Sequence, residues 1–246
     1  MLSSIRKDVY RLLDRKIQLI ERDGEAMYLV GPVRMPVHLD GRTVTFQWYS
    51  WLTCSEAAVN YEKLLEQLAQ ADLANLQQSS VLVYGDFAEA EDAVIRMHSI
   101  CHTGDIFGSK RCDCGFQLKQ SKRTIADRGA GALFYLANHE GRGIGLFSKA
   151  MAYLLQENGF DTIDANHALG FADDARSYEE AVLVLKSLRS KPVTLLTNNP
   201  NKIEALTRAG ITLTESQSIW GGVSEFNEAY LQTKRTRSGH LEQLQS

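Results

Sequence analysis

Three of the chain's four cysteines fall within one short stretch, Arg96 to Leu118, which reads RMHSICHTGDIFGSKRCDCGFQL. Cys112 and Cys114, with one residue between them, are too close for an ordinary disulfide. Both thiolates can nevertheless point at one cation if the chain turns, and Gly115 permits that turn. Cys101 closes the set from across a loop containing Gly104 and Gly108. Three sulfurs suit a soft or borderline ion, zinc best of all, and leave a fourth position open for water or substrate. The alternative is a set of plain reduced thiols, since free cysteines often serve only as small buried groups. Cys54 belongs to no cluster and reads as a plain thiol.

The segment RMHSIC-HTGD-…-RCDCGFQL resembles the zinc-binding stretch of the GTP cyclohydrolase II family, which opens the imidazole ring of guanine at the start of riboflavin synthesis. Three further stretches resemble the same family in the same order: HEGRGIGL at His139 to Leu146, DTIDANHALGFADDAR at Asp161 to Arg176, and LLTNNPNK at Leu195 to Lys202. The resemblance runs from about Val81 to about His240. It implies an α+β fold, a mixed sheet with flanking helices, and a zinc-dependent hydrolase. The implied reaction converts GTP to formate, pyrophosphate and a diamino-ribosylaminopyrimidinone 5′-phosphate.

The resemblance also implies roles for individual residues. Cys101, Cys112 and Cys114 match the zinc ligands. Tyr153 matches a tyrosine that orients or relays protons near the metal. Glu140 is placed to accept hydrogen bonds from N1–H and the exocyclic amine of guanine. Arg96, Arg142 and Lys202 match phosphate or nucleotide contacts, and arginine suits bidentate phosphate recognition. His98, Ser99, Gln117, Gly141, Thr162 and Thr197 complete the implied substrate-binding set. Asp174 and Arg176 match a general base and an arginine nucleophile that takes the α-phosphate and expels pyrophosphate. Arginine is normally cationic, so that role needs special surroundings; a salt bridge in an acidic loop is the plainer reading. Mg²⁺ is expected on the triphosphate. The family is usually homodimeric.

One departure stands out. The family usually has R-x-H-S-E-C, and Ile100 occupies the place of that glutamate. A carboxylate beside a metal ligand can order water, a second-shell bond or Mg²⁺, whereas isoleucine can do none of these. Slower turnover or altered nucleotide handling is the simplest expectation. A nucleotide-binding homologue without ring-opening activity, with a regulatory or assembly role, is the competing function. A zinc hydrolase acting on another purine or pyrimidine is a third, and the deaminase signature H-x-E…P-C-x-x-C is absent.

These residues need positioning elements within 246 residues, enough for one large domain or a domain with an extension. Hydrophobic residues make up 44% and charged ones 23%, an ordinary globular balance. A net charge of −3 gives no reason to expect nucleic acid as a partner. No apolar run is long enough to span a bilayer. The first residues lack the apolar core of a secretion signal, so no membrane association and a cytoplasmic location are expected.

Residues 2–21 are predicted as an amphipathic helix ended by Asp23-Gly24. Alternating Val37, Leu39, Val44, Phe46 and Trp48 around Asp40-Gly41 predict a hairpin. Trp48, Tyr49 and Trp51 read as packing residues. Residues 55–71 are predicted as a second helix and 72–80 as a linker. Together, residues 1–80 are expected to form an accessory region whose hairpin joins the core, ahead of a catalytic domain at 81–240 and a tail at 241–246. Within that domain, strands are expected at 81–84, 93–97, 132–136, 193–196 and 211–213, with helices at 117–127, 144–158, 178–188 and 201–209. The polar stretch TKRTRSGHLEQLQS is expected to be mobile.

Overall fold

The computed structural model describes residues 7–22, 25–55, 57–237 and 239. Its elements in chain order are α1 (Lys7–Asp14), β1 (Ile17–Arg22), β2 (Glu25–Leu39), β3 (Arg42–Cys54), α2 (Tyr61–Gln70), β4 (Ser80–Tyr84), β5 (Val94–Ser99), α3 (Cys114–Arg128) and β6 (Gly131–Leu136), followed by α4 (Gly145–Glu157), α5 (Thr162–Ala168), α6 (Glu179–Leu188), β7 (Val193–Leu196), α7 (Pro200–Arg208), β8 (Leu213–Gln217) and α8 (Glu228–Arg237). All eight strands form one mixed sheet in the order β1-β2-β3-β4-β6-β5-β7-β8. Helices flank it, giving the α+β architecture.

The first half of the sheet is antiparallel and the second half parallel. β2 and β3 are joined at Asp40-Gly41, both with left-handed φ (51° and 80°), the geometry of a tight hairpin turn. β3 then pairs with β4, and β4 with β6, so the hairpin is continuous with the rest of the sheet. From β6 onward, β5, β7 and β8 run parallel, with helical crossovers between them.

Alternation on β5 sorts its side chains. Ile95 and Met97 enter the main core with Phe134, Leu185 and Leu195. Arg96 and His98 face the opposite side, buried as well. Parallel strands gather their carboxyl ends on one edge, where open sheets of this kind bind ligands. The chain leaves β5 into Ile100-Cys101, β6 into Ala137–Arg142 and β7 into Thr197-Asn198-Asn199 at that edge.

The predicted helix over 2–21 is corrected. Among the described residues of that span, Lys7–Asp14 is helical, and Ile17–Arg22 is an edge strand paired with β2. Ile17 and Ile20 fit either period in so short a run, and pairing with β2 decides it. Residues 2–6 and the Asp23-Gly24 stop lie outside the described residues. The last strand falls at Leu213–Gln217 rather than 211–213. Thr162–Ala168 is a helix the sequence reading did not anticipate. Thr233–Arg237, expected in a mobile tail, belongs to α8, where Leu231 and Thr233 are buried. Residues 241–246 lie outside the described residues.

Candidate active site

Cys101 ends the β5 edge and precedes one turn of π-helix, His102–Ile106, while Cys114 opens α3. The three sulfurs lie within 4.8 Å of one another. Cys101 Sγ and Cys112 Sγ are 3.6 Å apart, close to the roughly 3.8 Å separating two sulfurs on one tetrahedral zinc with bonds of about 2.3 Å. A Cβ on Gly104 would stand 2.8 Å from Cys112 Sγ and 3.1 Å from Cys101 Sγ, so the turn can wrap the sulfurs only with glycine there. The donor set and the cradle around it fit zinc. Cys54 sits on β3, outside the trio.

Lys149 was not expected in the site. Its ammonium donates to Cys101 Sγ at 3.2 Å and to Glu140 Oε1 at 2.6 Å. Burial alone would lower its pKa, but the Cys101 thiolate and the Glu140 hydrogen bond outweigh that and raise it. The three sulfurs lie too close to one another to ionise independently, and Cys101 is the one that Lys149 contacts. Hydrogen bonds from the Cys112 and Cys114 thiols, with Lys149 beside them, hold its pKa low, and both of those thiols are pushed up in turn.

Glu140 is 3% exposed and heavily engaged. Oε2 accepts from the His102 backbone N–H at 2.7 Å, and Oε1 accepts from Lys149 and, at 3.2 Å, from Gly141 N–H. A carboxylate offers about four acceptor sites. A bidentate contact with any ligand would therefore require Glu140 to release one partner, of which Gly141 is the most distant. The next turn carries three consecutive left-handed residues, Gly141, Arg142 and Gly143, with φ of 60°, 66° and 94°. A non-glycine residue held there is the kind of strain that clusters at functional sites.

Tyr153 lies one helical turn beyond Lys149 on α4. Its hydroxyl is 3.4 Å from Thr103 Oγ1, which is 3.6 Å from Cys101 Sγ. Burial raises its pKa, so the phenol stays neutral and able to donate. The Arg111 guanidinium covers its ring at 4.2 Å.

At the other end of the cleft, charge is arranged for an anion. Arg96 donates to the Leu196 carbonyl at 2.8 Å and to Gln117 Oε1, and its buried Nε has no hydrogen-bond partner among the described residues. Lys202 donates to the Met97 carbonyl at 2.7 Å and lies over the Tyr178 ring. Its pKa falls well below the usual lysine value, first through burial and then through Arg96, Arg176 and Lys234. Gln117 Nε2 passes the network to Asp113 Oδ2 at 2.6 Å. Thr197 Oγ1 accepts from Asn199 N–H at 3.0 Å, and the Asn199 side chain caps α7.

Arg176 and Asp174 form a bidentate pair, with Nε–Oδ1 at 2.7 Å and Nη2–Oδ2 at 2.5 Å. Burial disfavours both charges, yet the hydrogen bonds win: Arg176 is raised and Asp174 lowered. Arg176 Nη1 also donates to Ser99 Oγ at 3.2 Å. Ser99 meets His139 Nδ1 at 3.1 Å, and His139 Nε2 donates to the Ser177 carbonyl at 2.8 Å. That carbonyl fixes the tautomer, leaving Nδ1 to accept from Ser99. His98 Nε2 donates to Asp105, whose Oδ2 also accepts from Cys101 N–H at 3.0 Å and from Tyr135 hydroxyl at 3.1 Å.

A single cleft, about 1070 Å³ with its open mouth, is lined by all three cysteines and by Arg96, His98, Ser99, Gln117, Glu140, Gly141, Arg142, Tyr153, Thr162, Arg176, Thr197 and Lys202. Asp174 does not line it but reaches it through Arg176. Ile100 lines it between Ser99 and Cys101. The sequence reading missed Lys149, His139, Asp113, Tyr230 and Lys234. Lys149 stands four residues before Tyr153, and that helical spacing is the signal that points to it.

A profile of the family described as GTP cyclohydrolase II matches residues 58–218. The chain is 47% identical over 170 residues to GTP cyclohydrolase-2 of Cronobacter sakazakii, covering 69% of this chain and 86% of that protein. It is likewise 47% identical over 165 residues to GTP cyclohydrolase-2 of Colwellia psychrerythraea, covering 67% and 81%. Riboflavin biosynthesis protein RibBA of Chlamydia trachomatis is 49% identical over 163 residues, covering 66% of this chain and 38% of that longer protein.

Proposed function

This chain belongs to the GTP cyclohydrolase II family, and we propose that it opens the imidazole ring of GTP hydrolytically through one zinc ion held by Cys101, Cys112 and Cys114. The products are formate, pyrophosphate and a diamino-ribosylaminopyrimidinone 5′-phosphate. The observation that carries the proposal is one cleft with a three-sulfur cradle at one end and buried cations at the other. Zinc bound there supplies a Lewis acid that activates water near neutral pH.

The chain's own residues do the rest. Lys149 offsets negative charge on the three-sulfur set through its contact with Cys101. Glu140 reads the guanine edge, exchanging its Gly141 contact for a donor of the base. Tyr153, beside Thr103, donates or relays a proton at the metal end. Arg96, Lys202, Arg142 and Thr197 bind the phosphates, with Mg²⁺ carried on the triphosphate. His98 and Ser99 hold the β5 edge in place, Ser99 by orienting Arg176. Gln117 orients Arg96, while Thr162 and Gly141 line the nucleoside end.

Arg176 is cationic in its pair with Asp174, so its first service is to bind the α-phosphate. Attack by Arg176 on phosphorus needs that proton to pass to Asp174. The P–N bond forms as the bond to pyrophosphate breaks, and water later cleaves the P–N bond.

Ile100 supports a second reading, a homologue that binds the nucleotide without opening it. One assay decides between the two: protein with GTP, Mg²⁺ and zinc, following formate, pyrophosphate and pyrimidine product together. All three are expected from the wild type. Cys112→Ser should lose zinc and formate release, and Cys54→Ser should retain both. Bound GTP without formate would establish the second reading, and undiminished zinc in Cys112→Ser would remove the metal assignment. A homodimer in the cytoplasm is the proposed working state.

A further inference from the structure

The carboxyl-terminal helix contributes to the cleft in a way the motifs do not indicate. Tyr230 and Lys234, one helical turn apart on α8, both line it. The Lys234 ammonium sits 4.3 Å from the centre of the Tyr230 ring and 3.0 Å from Asp113 Oδ1. Its side chain is 12% exposed and that of Asp113 fully buried. Asp113 lies between two metal-ligating cysteines and also accepts from Gln117, which in turn holds Arg96. Lys234 is thereby tied to both ends of the site.

α8 is docked there rather than draped over the surface. Leu231 and Thr233 are buried, and Arg237 donates to Asp164 Oδ1 at 2.8 Å and to Asp161, the residue capping α5. Around the phosphate end, three cations (Arg96, Arg176 and Lys234) face two paired carboxylates, Asp174 and Asp113, and the same cations, with burial, disfavour the charge on the Lys202 amine beside them. Among the described residues, Arg96 and Lys202 hydrogen-bond to neutral groups, and the buried Arg96 Nε has no partner. A buried excess of positive charge calls for an anion.

We infer that Lys234 is a substrate-binding residue of this site, a phosphate ligand carried in on α8 and positioned by the Tyr230 ring. The ligand class is the polyphosphate of a nucleoside triphosphate, and this rests on the nucleotide reading above. Lys234 then exchanges part of its Asp113 contact for phosphate oxygen, linking occupancy of the phosphate end to the loop that bears Cys112 and Cys114.

The test is calorimetric binding of GTP, GMP and guanosine to the zinc-loaded full chain with Mg²⁺ withheld so that GTP is not turned over, with zinc content measured alongside. Lys234→Met should weaken GTP binding tenfold or more, GMP less, and guanosine not at all, with zinc retained. Lys234→Arg should recover most of the GTP affinity, and Tyr230→Leu should show a weaker version of the same pattern. Equal weakening of all three ligands, or loss of zinc, would mean that Lys234 only braces the cysteine loop and would overturn the assignment. Hydrogen exchange on the wild type gives a check that needs no variant: GTP should slow exchange in residues 230–237 and guanosine should not. Equal protection by both ligands, or none by GTP, also overturns it. GTP binding without formate release once Mg²⁺ is restored would sink the ring-opening reading and leave this test intact, whereas no GTP binding at all would sink both.

Discussion

Asp174 grips Arg176 fork to fork, through Nε–Oδ1 at 2.7 Å and Nη2–Oδ2 at 2.5 Å. Such a pair holds the proton on the guanidinium, so a nucleophilic Arg176 must first lose the contact that orients it. Arg176→Lys keeps the charge but not the fork, and the two side chains are not interchangeable at such a site. Arg176→Lys, Arg176→Ala and Asp174→Asn are each expected to cut pyrophosphate release at least a hundredfold with zinc content unchanged. Rapid quenching with α-labelled GTP and mass analysis of the labelled peptide checks the covalent step. Label on another residue, or brisk pyrophosphate release from Arg176→Ala, would reduce Arg176 to a phosphate ligand.

Glu140→Gln turns one acceptor into a donor facing the donors of Lys149, His102 and guanine. An unpaired buried group of this kind costs about 1–3 kcal/mol, so kcat/KM for GTP should fall roughly tenfold to a hundredfold. ITP, which lacks the exocyclic amine, should lose less. Equal losses with GTP and ITP would mean that Glu140 serves Lys149 and the cysteine loop instead of the base.

His139 makes a prediction about acid. Burial pushes its pKa down to about 4, against an ordinary value near 6.5. The unfolded chain therefore takes up the proton first, and stability is lost as pH falls from about 6.5 towards 4. The loss has a ceiling of about 3 kcal/mol from this group. Urea midpoints at pH 7 and pH 4.5 should differ less in His139→Asn than in the wild type. An identical difference in both proteins would assign the acid sensitivity to other groups.

Much of this arrangement is legible in the sequence, and what escapes does so for physical reasons. Asp40-Gly41 marks the β2–β3 turn because few residue pairs tolerate two left-handed φ values in succession. The cysteine trio is legible because its members lie close together in the chain. β1 is hidden because its partner is β2, and pairing between strands overrides a short ambiguous period. α8 is hidden because Lys234 and Arg237 carry the composition of a solvated tail, while Asp113 and Asp161, their partners, lie far back in the chain. Lys149 is one more polar residue on a helix until Glu140 and Cys101 meet it.

Ile100 offers a gain-of-function experiment. It is held at the β5 edge by its backbone N–H to the Leu136 carbonyl at 3.2 Å, a contact any side chain at this position preserves. Ile100→Glu should leave the fold intact and raise turnover severalfold or lower the Mg²⁺ needed for half-maximal rate. Unchanged steady-state constants across a Mg²⁺ titration would make the position a packing site.

The continuity of the sheet limits how this protein can be divided. Gln47–Ser50 of β3 pairs with Ser80–Val83 of β4, Met27, Leu29 and Trp51 share a core with Val81 and Phe134, and Arg42 and Asp40 at the hairpin tip pair with Asp127 and Arg123 on α3. A chain shortened to begin at β4 would bare a full row of backbone donors and acceptors in what is now mid-sheet. Such a row is a template for a strand from another copy. The shortened protein is expected to self-associate, which its elution in gel filtration would show, and the helix bearing Cys114 would have lost its brace.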